Sequence, residues 1–255
     1  MNLPSAANTL VESLHSANPD VVVVNRTGMP VAMPWSSKVP CVVQAWYGGN
    51  ESGTAIADVI FGDFNPCGKL PISWPQDVKE NPAYLFFGSK SRVLFGDDIY
   101  AGYRWYDKLE RVPLWPFGHG LSYTTFTLSI TNIMHKGAYS GRHRTTVSVR
   151  IKNTGPCQGS EVIQLWTSAV HSSVQRPVRE LHAFHKTFLY SGEEREIDVS
   201  IDPYAFAVWD EVEGEWFVEG GDYRVTAIAS AGELSAPSRD ERAFTIKQST
   251  RWKGL

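Results

Sequence analysis

A chain of 255 residues with 42% hydrophobic and 12% aromatic residues has enough apolar material for one large domain or two ordinary ones, so disorder is not its default state. A formal charge of -3, with acids and bases interspersed, supplies neither a basic stripe for nucleic acid nor a polybasic membrane patch, and it favours a neutral or small-molecule partner. Three cysteines (Cys41, Cys67, Cys157) are too few and too scattered for a disulfide framework or a structural metal, and no stretch approaches the roughly 20 apolar residues of a membrane span.

Residues 5–18 place Leu10, Val11 and Leu14 at helical spacing and stop at Asn18-Pro19, which predicts a short amphipathic helix. The start of the chain lacks the basic segment and apolar core of a signal peptide. Val21-Val22-Val23-Val24 is an unbroken β-branched run, and the next apolar stretch is Cys41-Val42-Val43. Strands apolar on both faces belong inside a parallel sheet, and Cys41 reads as a small buried hydrophobe. Residues 39–75 are the most information-dense part of the chain: a strand over 41–45, the turn WYGGNE, a helix over 51–61 and a last short strand over 70–74. Asn50 is the expected helix cap and Gly62 the expected stop, with Ile56, Val59 and Ile60 on one face. A strand that runs straight into a helix delivers its side chains to the carboxyl edge of the sheet, where open α/β folds bind ligands.

Two parallel strands cannot cover both faces of a sheet. Residues 1–80 are therefore expected to be the tail of a larger α/β domain, in a truncated chain. From 81 to 115 regular periodicity fades into an aromatic-rich strap containing Tyr84, Phe86, Phe87, Phe95, Tyr100, Tyr103, Trp105 and Tyr106, expected to grip a domain surface. From 116 to 248 the period becomes two, as in Val147-Val149-Ile151, Ile197-Val199-Ile201 and Tyr223-Val225-Ala227, with turn signals between the runs. About seven short strands predict an immunoglobulin-like sandwich.

Candidate chemistry is sparse. No phosphate loop or nucleophile elbow is present. His182 and His185, three apart in a strand, face opposite sides and read as surface histidines. Glu51 falls at a helix start, where the macrodipole favours a carboxylate. Asp97 and Asp98 lie beside Arg92 and Arg104, which predicts ion pairs anchoring the strap. Asn25-Arg26-Thr27 and Asn50-Glu51-Ser52 match glycosylation triplets.

Three segments in order, ADVIFGDFNPCGKLPISWP, GDDIYAGYRWYDK and PLWPFGHGLSYTTF, closely resemble signatures of glycoside hydrolase family 3, particularly its fungal-type β-glucosidases. VRIKNTGPCQGSEVIQLW and the segments after it are similar to that family's fibronectin type III-like domain. The resemblance implies an α/β remnant, the C-terminal part of an α/β sandwich, followed by an all-β immunoglobulin/fibronectin type III-like sandwich. It implies hydrolysis of terminal β-glucosyl units with retention by a full-length parent acting on a β-glucoside or oligosaccharide, with no metal or other cofactor. The aspartate nucleophile and glutamate acid/base of the family fall in motifs this chain does not contain, so no residue here is expected to be catalytic. Trp46, Tyr47 and Glu51 match the strand-turn-helix beside the cleft and are expected to be substrate-proximal. Asn50 and Ser52 stand where related proteins often have Gln and Gly, Cys67 where Ser is usual, and Phe95 where Tyr is usual. The alternative from another class is a stand-alone carbohydrate- or protein-binding module. Oligomeric state and localisation are not legible, although the family is often secreted.

Overall fold

The computed structural model describes residues 1–88, 91–139, 142–229 and 239–253. Helix α1 (Ser5–Ala17) precedes two parallel strands, β1 (Val22–Asn25) and β2 (Cys41–Gln44), paired in register from Val22 opposite Cys41 to Asn25 opposite Gln44. Between them the chain folds back through Val31, Met33, Trp35 and Val39, which with Trp74 form the buried centre of this part. Helix α2 (Ser52–Phe61) follows and stops at Gly62, in the left-handed conformation as its position foretold. The helix starts differently from expectation: Glu51, not Asn50, holds the cap position, and no side chain caps it. The Gly49 carbonyl accepts the Ser52 amide at 3.4 Å instead, so the glycine turn does the capping through backbone.

Cys41 is exposed, contrary to its reading as a buried hydrophobe. A two-stranded sheet covers little of its own surface, and the opposing Val22 is likewise open at 45%. Leu10, Leu14, Ile60 and Phe61 are also exposed. The strand expected over 70–74 is not a strand. The chain bends at Pro71 and Ile72, and only Trp74 makes a bridge, to Trp115.

That bridge belongs to a seam. Trp74 and Trp115 exchange backbone hydrogen bonds, while the Leu70 amide donates to the His119 carbonyl at 2.8 Å and the Gly118 amide to the Leu70 carbonyl at 2.7 Å. NPCGKLPISW and WPFGHG are thus two halves of one lock. Asn65 accepts from the Ser122 hydroxyl and the Tyr123 amide, both at 2.8 Å, and donates to the Gln158 carbonyl at 2.9 Å. Lys69 and Glu161, with side chains only 12% and 7% exposed, pair at 2.9 Å. Gly120 is required by space: a Cβ there would sit 2.1 Å from the Gly68 carbonyl oxygen.

The strap contains a helix the sequence pattern did not reveal, α3 (Tyr103–Lys108). Tyr103 packs edge-on against Trp166 with ring centroids 4.7 Å apart and also touches Phe117, while Arg179 lies over Trp166 and makes two hydrogen bonds, 2.8 and 2.9 Å, to Asp107. This half of the strap grips the sandwich. The other half does not: Leu85, Phe87, Val93, Leu94 and Phe95 are mostly exposed. The ion pairs expected for Asp97 and Asp98 are not those formed by Arg104, which reaches Glu180 at 3.0 Å because α3 turns it toward the sandwich.

The sandwich has seven main strands. One sheet is β3 (Phe126–Tyr139), β4 (Arg142–Asn153) and β7 (Glu194–Ile201). The other runs in the order β11-β10-β5-β6, from β5 (Gly159–Ala169), β6 (Glu180–Leu189), β10 (Gly221–Ile228) and β11 (Arg239–Ile246). The period-two residues Val147, Val149, Ile151, Ile163, Leu165 and Val225 are fully buried between the sheets. A further small sheet, β8 (Ala207–Asp210), β9 (Glu215–Val218) and β12 (Thr250–Trp252), joins by burying Val218 and Trp252. Strand β6 carries a bulge at His182: Leu165 faces Ala183 while Trp166 faces Leu181. The bulge breaks the simple alternation on which the two histidines were read. His185 is exposed, but His182 is largely buried and is not a surface histidine.

Candidate functional site

The carboxyl ends of β1 and β2 are held by side-chain amides. Asn25 is 8% exposed and donates to Gln44 and, at 3.1 Å, to Thr27, while Gln44 donates to the Thr27 carbonyl at 2.9 Å. This engaged, buried amide makes Asn25 an unsuitable glycosylation acceptor. The network fixes the strand ends just before WYGGNE, so the turn leaves the sheet from a rigid base.

Trp46 is the first residue of that turn and has a positive φ of 51°, a conformation costly for a bulky side chain. Such strain of about 1–3 kcal/mol persists only where the surroundings hold it and concentrates at ligand sites. Here the indole is held against the fully buried Trp74, with ring centroids 6.1 Å apart, and Trp74 in turn meets Trp115 edge-on at 5.7 Å. The Trp74 indole donates to the Val31 carbonyl at 2.9 Å. The turn is therefore braced on the same seam that joins the two parts of the chain.

Tyr47 is 78% exposed. Its ring lies against Gly28, where a Cβ would approach it to 2.5 Å. Glu51 is exposed at the start of α2 and makes no side-chain hydrogen bond or ion pair among the described residues. The three residues share one turn, but they differ in kind: Trp46 is built into the core, Tyr47 offers an open ring, and Glu51 an open carboxylate. Retaining glycoside hydrolysis requires two carboxyl groups about 5–5.5 Å apart, and no described contact brings a second carboxylate to Glu51. The turn can stack and position a ligand. Among the described residues no cluster of three or more His, Cys, Asp and Glu side chains could hold a metal, and no helix is long and apolar enough to cross a membrane.

Two groups that sequence spacing could not assign have perturbed chemistry. Burial and the nearby Lys69 lower the basicity of His119 at the seam, where its ring stacks on Trp115. Burial, Arg104 and Arg176 push His182 down to about 4. The only sequence signal for either was a histidine between glycines or within an alternating strand, and burial was not visible from that.

The model of the glycosyl hydrolase family 3 C-terminal domain matches residues 1–123, and that of the fibronectin type III-like domain matches 161–231. The protein named "Probable beta-glucosidase H" from Neosartorya fischeri is 48% identical over the whole chain, which spans 30% of that protein; its counterpart from Aspergillus oryzae is also 48% identical, with 31% spanned. Among solved structures, the β-glucosidase from Kluyveromyces marxianus in complex with glucose superposes with a TM-score of 0.92 at 42% identity, over 100% of this chain and 30% of that one. β-Glucosidase 3B from Thermotoga neapolitana, also in complex with glucose, gives 0.86 at 33% identity, over 99% of this chain and 35% of that one. The chain thus spans about a third of the length of its relatives. With both of its parts matched in order and its whole length superposed, it belongs to glycoside hydrolase family 3, as a carboxyl-terminal α/β portion joined to a fibronectin type III-like domain.

Proposed function

We propose that this chain works as the carboxyl-terminal part of a retaining β-glucosidase, in which both catalytic carboxylates come from sequence outside these 255 residues. The observation that carries this is 48% identity along the whole chain to proteins of which it spans 30%, together with a candidate turn that holds one carboxylate where the chemistry needs two. In this reading residues 1–80 complete the α/β sandwich, 81–115 form the strap and 116–248 the fibronectin type III-like domain. Trp46, Tyr47 and Glu51 form one wall of a cleft for the terminal β-glucosyl unit of a β-glucoside or oligosaccharide. Glucose bound to the Kluyveromyces marxianus and Thermotoga neapolitana enzymes supports that choice of ligand class.

A chromogenic β-glucoside assay tests the assignment directly. The isolated chain is expected to show no turnover above buffer. Hydrolysis that survives repurification and disappears in Glu51→Gln would overturn it, because Glu51 would then be a reacting group. In a polypeptide of the relatives' length, Tyr47→Ala is expected to lower kcat/KM by about tenfold without abolishing kcat, the pattern of a positioning residue.

A further inference from the structure

The sandwich has a hollow of its own. A cleft of about 560 Å³ opens between the edge strands β6 and β7, lined by Arg144, His182, Phe184, Ser200, Ile201 and Asp202. Both sheets contribute, so the cleft depends on the sandwich being closed. The bulge in β6 turns Leu181 onto the Trp166 cluster and leaves His182 as the extra residue facing the cleft. Bulges of this kind re-aim side chains and are common beside binding sites. The His182 Nε2 atom is buried with no hydrogen-bond partner among the described residues, and the Glu180 carboxylate stands 3.9 Å away.

The chemistry of the lining selects the ligand. Phe184 presents a ring that is 70% exposed beside the hollow. Arg144 makes no ion pair among the described residues, and Asp202 uses one carboxylate oxygen to accept the Tyr204 amide at 2.7 Å, leaving the other open. In the lining Arg144 and Asp202 oppose one another, and behind His182 Arg104 is paired with Glu180 while Arg176 is held by the Phe206 carbonyl; His182, pushed down to about 4, adds no charge near neutral pH. Donors and acceptors of both signs around an open aromatic face suit an uncharged ligand with many hydroxyls and an apolar ring face. We propose that this cleft is a subsite for a neutral saccharide, stacked on Phe184 with its hydroxyls shared among Arg144, Ser200 and Asp202. The proposal goes beyond the catalytic reading and needs neither Glu51 nor the missing carboxylates.

The test titrates the 255-residue chain with cellotetraose, followed by calorimetry and by intrinsic fluorescence. Binding without turnover, in the millimolar range, is expected. Phe184→Ala should weaken it by up to about tenfold, the loss expected for one stacked ring. Phe188→Ala, four residues along the same strand and outside the cleft lining, should leave it unchanged. Arg144→Met gives a second, independent loss should Phe184→Ala perturb folding. Undetectable binding, equal losses in Phe184→Ala and Phe188→Ala, or displacement of the sugar by inorganic phosphate in a salt-sensitive manner would each overturn the proposal.

Discussion

Trp74 concentrates much of what a single residue does here. It is fully buried, its indole N–H is satisfied by the Val31 carbonyl, and its ring separates Trp46 from Trp115. Trp74→Ala should cost about 3–5 kcal/mol in a denaturant melt, the range for emptying a buried aromatic site, and should release the strained Trp46 turn. His182 makes a prediction in pH. Its folded-state value near 4 lies below the ordinary 6.5, because burial first and then Arg104 and Arg176 disfavour the charged ring, with Asp202 opposing only in part. Between those two values the unfolded chain binds the proton that the folded chain refuses. The stabilisation is therefore complete above about pH 6.5 and is lost as pH falls toward 4, by up to about 3 kcal/mol. Urea midpoints measured from pH 7 down to 4 should fall more steeply for the natural chain than for His182→Gln.

At the scale of elements, α3 and the seam illustrate stability borrowed from tertiary contacts. A helix of six residues is too short to persist by itself, so α3 exists because Tyr103, Arg104 and Asp107 are held by β5, β6 and Arg179. Asp107→Ala would leave the Arg179 guanidinium, 13% exposed, without that carboxylate. Hydrogen exchange over Tyr103–Lys108 should accelerate, with a global loss of roughly 3 kcal/mol. The Lys69–Glu161 pair crosses the seam in the same way. Lys69→Met should cost about 3–5 kcal/mol by stranding a buried carboxylate, and adding Glu161→Leu should recover most of that loss. Both measurements are equilibrium unfolding of the whole chain. A loss in Lys69→Met that the double variant does not restore would mean the pair is not the source of the coupling.

For the whole molecule, the two parts differ in how well they cover themselves. The sandwich encloses a continuous cluster from Phe126 to Trp252, whereas Leu10, Leu14, Phe61 and Phe64 remain open on the α/β portion. Limited proteolysis is expected to cut first among residues 1–75 and to leave a resistant product containing the sandwich strands. Uniform resistance along the chain would count against this division of stability.

The amino-acid sequence by itself determined the periodic parts: the helices near residues 5 and 52, the parallel valine strands and the alternating strands of the sandwich. Local spacing encodes which side of an element meets the core, and that information survives without a structure. Glu51 at a helix start and Gly62 at its end were legible for the same reason. The tertiary structure alone decided what those elements meet. Cys41 lies in an apolar run yet is exposed, because a sheet of two strands covers little of its own surface. His182 sits in an ordinary-looking strand yet is largely buried, because one extra residue in β6 changes the phase of the alternation. Lys69 finds Glu161 and Trp74 finds Trp115 across 92 and 41 positions of chain. Burial and pairing at such separations are properties of two surfaces brought together, and no periodicity within either segment records its partner.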